Sequence, residues 1–176
     1  MAKFNYFDTI ETLSDHMELT VREVFDEKKN STRVRSGEIE DNTSKMICEL
    51  ESKLFSDFFP PLERADIAAF AHSLGRVTSV AASIDRRCRF LPSDAEICIK
   101  LAELINQNAH MLKRIRKADG IPNRDSFRAL AKKADEQKSR GMTYSKSTEN
   151  RSAVEELIRE LSSCFDRLVE IMLNNI

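Results

Sequence analysis

"IAAFAHSLGRVTSVAASIDRRC", residues 67–88, decides how this chain folds. Ile67, Phe70, Leu74, Val77, Ala81, Ile84 and Cys88 recur at alternating steps of three and four. That spacing puts them on one face of an α-helix and does not suit a strand, whose faces repeat every second residue. The stretch is unusual in a second way. No carboxylate lies between Asp66 and Asp85, although 32% of the chain is charged. In "HSLGRVTSVAAS" (72–83) only Arg76 bears a full charge.

The same period continues on both sides. Ile10, Leu13, Met17, Val21 and Val24 form one stripe. Val154, Leu157, Leu161, Cys164, Leu168 and Ile171 form another, widened by Ile158, Phe165 and Met172. Ile97, Leu101, Leu104, Met111, Leu112 and Ile115 make a third, interrupted by Asn108, whose amide is expected to bond across the bundle and fix helix register. Turn signals separate the stripes: "KNSTRVRSG" at 29–37, "FFPP" at 58–61, Asp119-Gly120 with Pro122, and "RGMTYSKST" at 140–148. Ser93 followed by Glu96 reads as a capping box opening the fourth helix. The pattern predicts six helices with short connections, hence antiparallel neighbours.

Composition agrees. Only four Gly and four Pro occur in 176 residues, Trp is absent, and 41% of the chain is hydrophobic, enough for one sizeable core. With 28 Lys and Arg against 29 Asp and Glu, overall charge offers nothing to nucleic acid. Basic residues gather between Lys113 and Lys146, spread over two helices and a loop, and read as solvated faces. The N-terminus turns acidic before an apolar run can form, and no apolar run is long enough to span a membrane. Cys48, Cys88, Cys98 and Cys164 lack metal-ligand spacing and read as reduced cytoplasmic thiols.

The usual routes to catalysis lack their parts. None of His16, His72 and His110 follows a Glu by three residues, as a carboxylate-bridged di-metal bundle requires. Phosphate-cradling glycine loops, a nucleophile elbow and a zinc-protease motif are missing too. No cofactor and no enzyme activity are expected.

Residues 38–84 resemble the PhoU-like family of proposed phosphate transport regulators, short proteins associated with Pit-type phosphate permeases. The opening "KFNYFDTI" (3–10) and the ending "EIMLNNI" (170–176) look like that family's ends. Ile39 and Glu40 match its I-E-H-x-A-D motif, with Ser44 in place of the aspartate. Phe58, Pro61, Glu63, Arg64, Asp66 and Ile67 match its F-[IV]-T-P-[IF]-[DE]-R-E-D-I motif, while Pro60 replaces the threonine and removes a hydroxyl N-cap. Leu74, Val77 and Thr78 fall into step with its D-D-V-x-D-x-I-E, with Gly75, Arg76, Ser79 and Ala81 where its acids stand. Asp135 fits the aspartate of E-x-x-[AG]-D and Asp166 one acid of the last helix, while the acids around both are replaced. The fifth helix looks shortened.

The resemblance implies an all-α PhoU-like pair of three-helix bundles, near 5–90 and 93–176 of one domain (1–176). It implies a non-enzymatic cytoplasmic accessory protein that binds a phosphate permease or related inner-membrane transporter and meets the membrane only through that partner. A homo-oligomer is compatible with this. The family's acid clusters suit hard or borderline metals such as iron, so their replacement implies that both metal sites are dismantled. Two other readings stay open: a metal-binding bundle using Glu40, Glu49, Asp135 and Asp166, or a structural subunit paired with a metal-bearing relative.

Overall fold

The computed structural model describes residues 4–25, 33–58, 60–84, 92–115 and 151–174. Among these, five long helices carry the fold: α1 (Tyr6–Phe25), α2 (Arg33–Ser56), α3 (Arg64–Ser83), α4 (Pro92–Ala109) and α6 (Arg151–Asn174), with a single turn, α5 (Leu112–Ile115), after α4. No strand occurs among the described residues. The sixth long helix expected from the sequence falls within 116–150, outside them.

α1, α3, α6 and α4 form a closed ring in which each packs on the next, and α2 lies against α1 and α3 from outside. Cross-helix bonds give the directions. Tyr6 of α1 meets Asp57 just after α2, and His16 meets Thr43. Glu51 and Glu40 of α2 meet His72 and Ser79 of α3. Asp15 and Arg22 of α1 meet His110, just past α4, and Glu103. The pairs α1/α2, α2/α3 and α1/α4 are therefore antiparallel, and α1 and α3 run in the same sense.

One apolar core joins all five long helices. Phe70, Leu74, Val77 and Ala81 of α3 are completely buried, as are Leu13 and Met17 of α1 and Leu157 and Leu161 of α6. Each large side chain contributes about 1.5–3 kcal/mol by leaving water. The seam of α2 is Ile39, Thr43, Ile47, Leu50 and Leu54.

Several boundaries differ from the sequence expectation. α2 starts at Arg33 rather than after "KNSTRVRSG", because one glycine among helix-compatible residues costs only about 1 kcal/mol. α4 begins on Pro92, a residue suited to the first helical position, so Ser93 lies inside the helix and Glu96 pairs with Lys100 instead of closing a capping box. α3 begins after Glu63, beyond the "FFPP" turn signal, and the Glu63 side chain makes no cap bond. α4 stops at Ala109: Met111 donates to the Asn108 carbonyl, a tightened bond, while the Asn108 amide donates to its own helix at Leu104 O (2.7 Å). That local capture competes with the helical ladder. Among the described residues Asn108 does not bond across the bundle as expected; Asn106 does.

Candidate functional site on the third helix

α3 is held at its start by a turn over residues 60–63. The Arg64 guanidinium donates to Leu54 O at 2.9 Å and to Asp57 O, satisfying carbonyls that the end of α2 leaves open. The buried Tyr6 phenol donates to Asp57 at 3.1 Å, tying the N-terminus of α1 to the same turn. Burial first, then the bond and charge of Asp57, raise the phenol above its ordinary range. Asn5 caps α1, accepting from the Asp8 amide (3.4 Å), so "NYFD" is a helix-start signal with a physical role.

The acid-poor face of α3 then looks two ways. Toward α2, Gly75 lets the helices close: a Cβ built there would stand 2.6 Å from Ile47 Cδ1 and 4.0 Å from Thr43 Cγ2. Ser79, one turn on, donates to Glu40 of α2. Thr43, on the Glu40 face of α2, stands with its hydroxyl 3.3 Å from His16 Nδ1 of α1. Toward α6, the Arg76 guanidinium meets Glu160 at 2.8 Å. Glu160 is nearly buried, whereas Arg76 is mostly exposed. Ala81 is fully buried in the core, and Ser44 lies exposed on the far side of α2.

These positions are joined by hydrogen bonds, one ion pair and close packing. Glu40 engages Ser79, and Asp166 lies exposed on α6 and has an interaction of its own. Asp135 lies outside the described residues. Among the described residues no group of three or more His, Cys, Asp or Glu side chains converges as a metal would require. Cys98 and Cys164 are buried; burial, helped by Asp94 and Glu160 respectively, pushes both thiols far above their ordinary range. Such thiols are inert at neutral pH. Cys48 is exposed on α2.

A second polar seam, between α1 and the end of α4, was not read from the sequence. Ser14 donates to Asn106 Oδ1 at 2.6 Å, and the Asn106 amide donates to Asp15 (3.1 Å) and Glu18 (2.5 Å). His110 Nε2 stands 2.9 Å from Asp15, Lys113 pairs with Asp8, and Arg22 bridges Glu18 and Glu103. The signal was available: Asp8, Glu11, Asp15 and Glu18 follow helical spacing on the side of α1 beside its apolar stripe. No described helix is long and apolar enough to cross a membrane.

An all-α bundle with one shared core and polar networks in the seams between its described helices is the class these features define. Its fold is that of the PhoU-like proteins. A PhoU-like protein from Shewanella oneidensis MR-1 superposes with a TM-score of 0.59 at 13% identity, over 97% of this chain and 100% of that one. A second protein from the same organism, whose name makes it PhoU-like and assigns it provisionally to phosphate regulation, gives 0.56 at 12% identity over 97% and 96%. No family profile and no curated protein sequence matches the chain.

Proposed function

We propose that the chain is a non-enzymatic accessory or regulatory protein of phosphate transport, acting in the cytoplasm by binding a phosphate permease or related inner-membrane transporter. The observation that carries this reading is the likeness to PhoU-like structures over nearly the whole of both chains, one of them named for phosphate regulation. On this reading the protein works as a binding scaffold and needs no cofactor. The polar positions of α3 support it: Arg76 and Ser79 are each committed to a neighbouring helix and Gly75 to close packing, so α3 serves the bundle rather than a ligand. Both family metal sites are dismantled on this account, and residues 5–90 and 93–176 are its two related halves.

The test is recovery of the tagged chain from membranes prepared at low and high phosphate, followed by binding of the purified chain to the recovered permease in detergent. Direct binding supports the proposal. A chain that recovers no transporter in either condition, and whose deletion leaves phosphate uptake unchanged, refutes it.

A further inference from the structure

We draw no further inference here: the strongest candidate, the exposed aromatic patch that Phe55 and Phe58 make at and just past the end of α2, carries no proposal because nothing in the structure shows what covers it.

Discussion

Replacing Gly75 by alanine adds one methyl where α2 and α3 touch. In a helix interior the change gains roughly 1 kcal/mol, because glycine loses more backbone freedom on folding. The new carbon would stand 2.6 Å from Ile47 Cδ1, roughly an ångström inside ordinary contact of about 3.5–4.0 Å, so that methyl must move. Overpacking of this kind costs about 1–3 kcal/mol. Gly75→Ala alone is therefore expected to lie between neutral and about 2 kcal/mol destabilised. Ile47→Val alone removes Cδ1 and leaves a small void, costing about 0.5–1.5 kcal/mol. Combined, the alanine methyl takes the space that Cδ1 vacates, and the double variant should match or exceed the wild type. The expected coupling is about 1–3 kcal/mol in favour of the double variant, read by urea unfolding followed by circular dichroism. A chain of this size shifts its Tm by roughly 2–4 °C per kcal/mol, so thermal melts give an independent check. Additivity within about 0.5 kcal/mol would refute the close approach of α2 and α3 at Gly75.

Arg76→Ala leaves the Glu160 carboxylate nearly buried without its cation; because Arg76 is largely solvated, the loss should be only about 1–2 kcal/mol, and urea titration showing no change would remove the proposed α3–α6 joint. Tyr6→Phe should cost about 1 kcal/mol at neutral pH through the lost bond to Asp57. The phenol holds its proton more tightly folded than unfolded, so this advantage is full below pH 10.0 and is lost as pH rises through the raised folded value. The gap between wild type and Tyr6→Phe should therefore narrow in alkali, and a gap independent of pH would contradict the placement of Tyr6. Cys48→Ser should remove a fast thiol reaction with Ellman's reagent in the native state, whereas Cys98→Ser or Cys164→Ser should leave the native rate unchanged. Rapid native labelling of either buried cysteine would mean that the core opens more readily than its packing implies.

Helical periodicity read α1, α3 and α6 almost residue for residue, because large apolar side chains mark their buried faces. On α4 it read Leu101 and Leu112 correctly but missed the small residues of the seam. Cys98, Ala102, Ile105 and Ala109 are buried there, while Ile97 and Leu104 are only half-covered. Small residues in a seam carry little hydrophobic signal, although they permit the closest packing. The acid-poor face of α3 was visible in the sequence, but the partners of Arg76 and Ser79 were not. That Arg76 reaches Glu160, 84 residues on, and that Ser79 reaches Glu40 depend on which helices become neighbours. Local pattern does not encode that choice. The ends of α3 and α4 were misplaced because stripes of apolar residues continue past the point where the backbone stops being helical, as Ile84 does with ψ of 127°.

The third helix packs and pairs within the bundle through Gly75, Arg76 and Ser79, and on the proposed reading it holds no metal. The iron, manganese and zinc content of the untagged protein, purified from metal-supplemented cells, tests it most directly. The account predicts metal well below one ion per chain, unchanged when Glu40 is replaced by glutamine. Stoichiometric metal that Glu40→Gln or Asp166→Asn removes would contradict it, and would mean that the remaining carboxylates carry the function.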